Sequence, residues 1–499
     1  MTIINASSVV GVEDFVDTVV SSVRRGSRFA GLFASVLGGD TRLSAVLDND
    51  GSLDLVQTVL SSGQKQFPSL GALIPSARWY EREIHDIFEL GLRGEGGNDL
   101  LVFARAPSSE RSRSGSGFPT GAAHLDVTPL SAHLRGEGVF TISYGPVRSG
   151  VFESVEYLVE TPGEDIPHLR TRPFYKHRGV ESLFNDLSVE NGVLLAERCE
   201  GVASVAHAWA FCAAVEEIGS VEITRGAALV RVLHAELERI ANHLDSTIRH
   251  TEAAGQAVAY ARFSLHKERV QRLRAQLCGS RFGRGVVVPG GVAAAPLLSP
   301  VEMLSVIDPL ERAVASDLQL LMDTPSFVDR LRGTGELPGS LIEEFGALGP
   351  LARGSGFNHD VRWRQPYAAY ALLEPPEMQA RAEGDALARQ RVRVDEIAGS
   401  FRLIRDSARL LDQLRDSHES PWSVVVPPSS GSVIARVEAP QGELLSLVGL
   451  ENGVLTRVKQ RSASFHNLAL FSSAFRGDIL TDFAFIEASF GLSIAGVSS

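Results

Sequence analysis

Between Tyr175 and His207 the sequence YKHRGVESLFNDLSVENGVLLAERCEGVASVAH gathers ionisable side chains around an apolar helical pattern. His177, Arg178 and Glu181 open the stretch, and Glu197, Arg198 and His207 close it. Carboxylates beside imidazole and guanidinium groups are suited to taking up and releasing protons. Set among Val193, Leu194, Leu195, Val202 and Val205, such groups are costly to bury unless paired or hydrogen-bonded. The pattern predicts a polar site enclosed between helices, against the plainer reading of a solvated face laced with ion pairs.

Three other clusters carry less. His234, Glu238 and His243 share a helix but lack the His-Glu-x-x-His spacing of a zinc site, so an ion-paired outer face is the expectation for them. The segment RFGRGVVVPGGVAAAPLLSP, residues 281–300, is glycine-rich without phosphate-loop spacing; its glycines are expected to permit close backbone packing. Cys199, Cys212 and Cys278 form no Cys-x-x-Cys pair and no disulfide framework, which fits a reduced, cytoplasmic setting.

The elements that must position these groups follow from periodicity. Val12 to Val23 reads as an amphipathic helix, and Phe29 to Asp48 with Leu53 to Val59 as strands, giving a small α+β domain over residues 1–106. It ends in WYEREIHDIFEL, with Tyr80, Ile84, Ile87 and Phe88 on one stripe, charged residues opposite and His85 solvated. Residues 107–126 are rich in Ser, Gly and Pro and read as a linker. From 127 onward, strand candidates at Gly138 to Ser143 and Val151 to Val159 precede long helices, one of them following Thr224. Residues 354–370 read as a polar loop, Gly384 to Leu414 as helix, and Trp422 to Lys459 as strands with turns at PPSSGS and ENG. The apolar C-terminus is expected to be docked.

A chain of 499 residues can hold two or three cored domains, and its net charge of -12 leaves no basic stripe for nucleic acid. MTIINASSVVGVEDF lacks the basic region and apolar core of a signal peptide, and no window reads as a membrane span.

Taken together the segments resemble a known family. HRGVE, ERCEGVASVAH, LHAELERIANHL, RFGRGVVVPGGV, SGFNHDVR with PYAAY, GDALARQRVRVDEI, RVKQRSASFHNL and RGDILTDF are similar, in order, to motifs of the large subunit of energy-converting nickel-iron hydrogenases of the formate hydrogenlyase type and of its relative, the 49-kDa-type subunit of respiratory complex I. WYEREIHDIF resembles the 30-kDa-type complex I subunit, fused ahead of the large subunit in formate hydrogenlyase.

The departures decide the chemistry expected. Four thiolates from two Cys-x-x-Cys pairs hold the nickel-iron site in that family, soft donors that oxygen or carbon cannot replace. Aligning ERCEGVASVAH and SFGLSIAG on the two motifs puts Glu200, Ala203, Ser493 and Gly496 at the four positions, with Cys199 one residue out of register. No nickel, and no metal of any kind, is expected on this chain. The complex I relatives place a quinone headgroup between a histidine of a Gly-Pro-x-His turn and a tyrosine. Here the turn reads Gly145-Pro146-Val147-Arg148, and the tyrosine position is Leu195. A quinone remains compatible with an apolar pocket; the residues left to line it are His177, Arg178, Arg198 and Glu200, and those left to handle protons are Arg148, Glu181 and His207. Glu181 sits at the glutamate that carries protons in the hydrogenase relatives, which would call for a raised pKa; the alternative is pairing with Arg178 or Arg198 for structure alone.

The resemblance thus implies an α+β fold and an oxidoreductase-complex subunit that binds no cofactor itself. It would dock an iron-sulfur small subunit and antiporter-like membrane subunits on the inner face of a membrane. NAD- and quinone-linked electron transport belongs to the same setting, with NADH, formate or ferredoxin entering the relatives through other subunits. Two functions follow: electron relay from the partner's cluster to a quinone-like or unknown acceptor, or a structural coupling role without redox chemistry.

Overall fold

A computed structural model describes residues 4–94, 101–102, 134, 136, 138–148, 153–379, 381–414 and 421–498. The linker expected at 107–126, with its boundaries at 106 and 127, lies outside the described residues.

The N-terminal region is a four-stranded sheet ordered β1-β4-β3-β2 from β1 (Ile4–Val9), β2 (Arg28–Leu37), β3 (Asp40–Asn49) and β4 (Ser52–Leu60), with β1 parallel to β4 and the remaining pairs antiparallel. Asp50 and Gly51, both at positive φ, close the β3–β4 hairpin, a conformation that an Asp-Gly pair adopts readily. Helices α1 (Phe15–Arg24) and α2 (Arg78–Phe88) contribute Phe15, Val19, Tyr80 and Ile84 to the core under one face of this sheet. On the other face, Ala30, Phe33, Val46, Leu53 and Leu55 meet Ile434, Leu445 and Leu447 from the far end of the chain. With both faces covered, β3 is buried over six consecutive residues, and its apolar run carries no solvent face.

The remainder is mainly helical, bordered by two antiparallel sheets. One contains β5 (Phe140–Tyr144), β6 (Glu156–Thr161) and β7 (His168–Arg172) in that order; the other is the meander β8 (Gly431–Ala439), β9 (Gly442–Glu451) and β10 (Val454–Arg461). The strand expected at Val151 to Val159 begins only at Glu156. The short α3 (Val180–Leu183) and α4 (Val189–Ala196) lead into α5 (Ser204–Ile218), which packs across β8 and β9. Beside them lie α6 (Arg225–Ala253), α7 (Ala257–Cys278), α8 (Pro300–Met322) and α9 (Ala386–Leu414). Thr224 caps α6, its hydroxyl accepting from the Ala227 amide. The C-terminus is docked as expected: α10 (Phe483–Phe490) and the segment to Val497 bury Phe485, Ile486, Phe490, Ile494 and Val497.

Three expectations are corrected by burial. His234, Glu238 and His243 do not form an outer face; all three are inside, because α6 is wrapped by α7, α9 and α10. Glu238 accepts from the Val205 and Ala206 amides and so caps the start of α5, while His243 and Arg239 both bond Glu396 of α9. Residues 354–370, read as a polar loop, hold a short helix over Val361–Arg364 and turn polar side chains inward: Arg362 bridges Asp360 to Glu236 in the interior, and Tyr370 donates to Glu236. On α2, Glu81, Glu83 and Asp86 turn inward, and His85 is half-buried against the Leu90 carbonyl.

Tyr80 shows how tightly the two regions are joined. His466 donates from Nε2 to the carbonyls of Phe345 and Gly346, so its Nδ1 must accept, at 2.7 Å, from the Tyr80 hydroxyl. Burial holds this imidazole neutral, lowering it to about 3. Tyr80→Phe leaves a buried acceptor without a donor and is expected to cost about 1–3 kcal/mol in urea unfolding; an unchanged midpoint would show that the bond carries no stability.

Candidate functional site

The site is built where the start of α5 meets the C-terminal segment. Ala203 ends the turn Glu200–Ala203, and α5 then carries His207 inward, one turn along. The meander supplies Gln441 from the β8–β9 turn and Gln460 from β10; the helical turn after β10 supplies Ser462 and Ser464. The last residues of the chain bring Ser493 and Gly496 against them.

Glu200 is the hub. One carboxylate oxygen accepts from Gln441 Nε2 at 3.0 Å and from Ser464 at 3.3 Å, while the other lies 3.2 Å from His207 Nε2. Ser464 Oγ also accepts from the Ser493 amide, and Ser462 donates to the Gly496 carbonyl at 2.7 Å. A Cβ at Gly496 would stand 2.5 Å from the Glu200 carboxylate, so the carboxylate occupies the space a side chain at 496 would need. Residues 200, 493 and 496, three of the four positions at which the resemblance puts thiolates, thus come together in one place.

The protonation of the Glu200–His207 pair can be worked out from its partners. Gln460 Nε2 donates to the His207 carbonyl at 2.9 Å, which fixes Oε1 as the group facing His207 Nδ1 at 2.6 Å. His207 Nδ1 must then carry a proton. Burial alone would lower the imidazole, but the sulfur of Cys199 and the carboxylate of Glu200 outweigh it and push it up to about 10. At neutral pH one proton is therefore held between Nε2 and Glu200, in a site where both residues are 2% exposed or less.

The other predicted residues scatter around this centre. Arg178 is a staple: it donates to the carbonyls of Arg198, Cys199 and Ala495, tying the loop before α5 to the C-terminal segment. Arg198 is exposed, in the turn after α4, and bonds the Leu194 carbonyl of that helix. Arg148 is not near Glu200; it makes a two-pronged salt bridge to Glu487, at 2.7 and 2.9 Å, and lies over the rings of Tyr144 and Tyr157. Glu153 anchors the same segment, accepting from the Ser493 hydroxyl at 2.8 Å.

Of the two alternatives for Glu181, a raised carboxyl or a structural ion pair, the structure shows an ion pair, with partners other than those expected. Its partners are neither Arg178 nor Arg198 but Lys459, at 2.5 Å, and Arg457, at 2.8 Å. Burial would raise its carboxyl, yet these two cations outweigh burial and lower it. His177, half-buried beside it, is lowered to about 4 by burial, and stays neutral. Lys459 also reaches Glu83 of α2 at 2.6 Å. Glu83, Lys459, Gln441 and Gln460 were not singled out by the sequence; Glu83 falls with the charged residues of α2, outside its apolar stripe.

The donor set does not suit a nickel-iron group. Glu200, Ala203, Ser493 and Gly496 offer one carboxylate and one hydroxyl, both already hydrogen-bonded, where soft sulfur donors are required. The three thiols are dispersed: Cys199 lies beside His207, Cys212 beside Arg231 and Glu216, and Cys278 on the Arg274 and Ser280 carbonyls. Among the described residues no helix is long and apolar enough to cross a membrane.

Residues 254–427 and 422–498 match the family model of the respiratory-chain NADH dehydrogenase 49 Kd subunit, and residues 30–104 that of the 30 Kd subunit. The carbon monoxide-induced hydrogenase of Rhodospirillum rubrum is 30% identical over 310 residues, 61% of this chain and 84% of the relative. Formate hydrogenlyase subunit 5 of Escherichia coli is 24% identical over 449 residues, 87% of this chain and 77% of the relative. An NADH-quinone oxidoreductase component of Campylobacter curvus is 25% identical over 404 residues, 74% of this chain and 98% of the relative. This chain belongs to the family of fused 30-kDa and 49-kDa subunits that links energy-converting hydrogenases to complex I.

Proposed function

We propose that this chain acts in a membrane-associated oxidoreductase complex as a coupling subunit that holds protons and transmits conformational change, and does no redox chemistry of its own. The observation that supports it most is the Glu200–His207 pair: the pocket that would have to hold the metals is filled by a carboxylate and an imidazole sharing a proton. An iron-sulfur partner seated over α3 and α4 would cover Leu183 and Leu194, which are 56% and 48% exposed. With a net charge of -12, attachment to the inner face of the membrane would run through antiporter-like partner subunits, not through anionic lipid.

Electron relay to a quinone-like acceptor is the second reading. Arg148 over Tyr144 and Tyr157 favours it, since cationic and aromatic groups converge there on a cleft beside Glu153 and Ile494. That cleft has a volume of about 30 Å³, room for roughly one water, so a quinone would need a partner's surface to complete its pocket.

The two readings separate in the purified complex. Metal analysis with a quinone and dye acceptor screen, run with and without this chain, is expected to find no stoichiometric nickel and no acceptor whose reduction requires the chain for anything beyond assembly. Stoichiometric nickel sinks both readings; acceptor reduction abolished by Arg148→Met in an intact complex establishes the relay.

A further inference from the structure

Lys459, from the far end of the chain, lies between two carboxylates that come from different elements. Its ammonium is 2.6 Å from Glu83 on α2 and 2.5 Å from Glu181 on α3, and all three side chains are buried. The cluster is closed by aromatic rings: Phe465 lies under the ammonium, at 5.4 Å, and Phe88 under the guanidinium of Arg457, at 5.6 Å. The two carboxylates are not equivalent. Glu181 is ion-paired with two cations, Lys459 and Arg457; among the described residues Glu83 is ion-paired with Lys459, and Arg457 acts on it only from a distance.

We propose that Glu83, delivered by the N-terminal domain, is the proton-accepting group of this buried site, and that Glu181 is the fixed charge that positions Lys459. The inference rests on the coupling reading above and assigns it a residue. With both carboxylates ionised, their two negative charges balance Lys459 and Arg457. A single proton taken from water neutralises the Glu83 carboxylate, leaves the site with one net positive charge, and weakens the tie of Lys459 to α2; its release restores the pair. The groups facing Glu83 agree with this order of protonation. From β10 come Lys459 and Arg457, from α3 Glu181, which the neutral His177 flanks, and from α2 itself Tyr80. Burial first, and then the like charge of Glu181, raise Glu83 against the pull of Lys459, whereas two cations lower Glu181. Because Glu83 and Glu181 sit in different domains, each protonation alters a contact between them. That is the property a coupling subunit requires, and the N-terminal domain then contributes chemistry as well as packing.

Infrared difference spectroscopy of the intact complex through a pH titration tests the assignment. A carbonyl stretch of a protonated carboxylic acid should appear as pH falls, be lost in Glu83→Gln, shift in Glu83→Asp, and persist in Glu181→Gln. Loss of the band in Glu181→Gln with retention in Glu83→Gln overturns the proposal, as does a titration with no such band. Proton-coupled turnover measured on the same samples judges the coupling reading separately. If Glu83→Gln removes the band and leaves the pH profile of turnover unchanged, Glu83 is the proton site and coupling is carried elsewhere. Retained assembly and thermal midpoint in the two Gln variants guard against a merely structural effect.

Discussion

Glu443→Ala is expected to be the most damaging single substitution in the chain, costing about 3–5 kcal/mol, because it strands several buried guanidinium groups at once. Glu443 of β9 pairs with Arg28, at 2.8 Å, with Arg436, at 3.4 Å, and with Arg461, and it is 1% exposed. Asp48 is the other carboxylate of this group, and it already serves Arg28 and lies 3.6 Å from Arg436. Arg461 would keep only its bond to the backbone carbonyl of residue 443. Since Arg28 and Asp48 belong to the N-terminal sheet, the loss falls on the seam between the two regions. The pH dependence has a definite sign. Burial would raise the Glu443 carboxyl, but Arg28, Arg461 and Arg436 hold it well below the usual carboxylate range. Its contribution is therefore fully present above the unfolded carboxylate pKa and disappears as the pH falls below that range. Urea unfolding at neutral and at acid pH should show a gap between wild type and variant that closes in acid. A gap of the same size at both ends would mean that packing, not charge, makes Glu443 important.

The outline of this fold is legible in the sequence. The three-stranded meander announces itself through the Glu451-Asn452-Gly453 turn, with both Asn452 and Gly453 at positive φ, and the capping Thr224 sets the start of α6. Motif alignment singles out residues 200, 493 and 496 together, and they meet although nearly three hundred positions separate them. What periodicity does not reveal is what covers an element's second face. The charged side of α2 reads as solvated, yet β10 brings Lys459 against Glu83 across 376 positions. The same blindness makes α6 look half-exposed, when α7, α9 and α10 enclose it and Glu238 is spent on the N-terminus of α5. Glu181 departs from expectation for a related reason: its cations are not the neighbours in its own motif but residues of a distant strand, and two of them reverse the effect of burial. In these clusters the polar residues are interior because partners from far along the chain meet them there.

Removing Glu200 is the second large effect, and its pH dependence runs opposite to that of Glu443. In the wild type, His207 is raised from its ordinary value of 6.5 to about 10, so the stability it contributes is complete below about pH 6.5 and is lost as the pH rises through 10. Glu200→Ala takes away the carboxylate facing Nε2, leaves Gln441 and Ser464 short of an acceptor, and at neutral pH should cost about 3–5 kcal/mol, the range for stripping one partner from a buried pair. The lift from the carboxylate is then lost while that from the Cys199 sulfur stays, so between about pH 7 and 10 the wild type should lose more stability than the variant, and the two curves draw together in alkali. Gly496→Ala attacks the same site from the other side: its Cβ falls 2.5 Å from the Glu200 carboxylate and 2.9 Å from the Ser462 hydroxyl, forcing the carboxylate off His207. If Glu200 fills the place of a lost ligand, the two substitutions cannot be additive. With the carboxylate gone, the methyl group at 496 loses its worst clash and keeps only the closeness of the Ser462 hydroxyl, and Gly496→Ala should cost less in the Glu200→Ala background than in the wild type. Strict additivity in that double-mutant cycle, measured by urea unfolding at neutral pH, would mean that residues 200 and 496 do not share one pocket and that the Glu200–His207 pair does not stand where the family holds its metals.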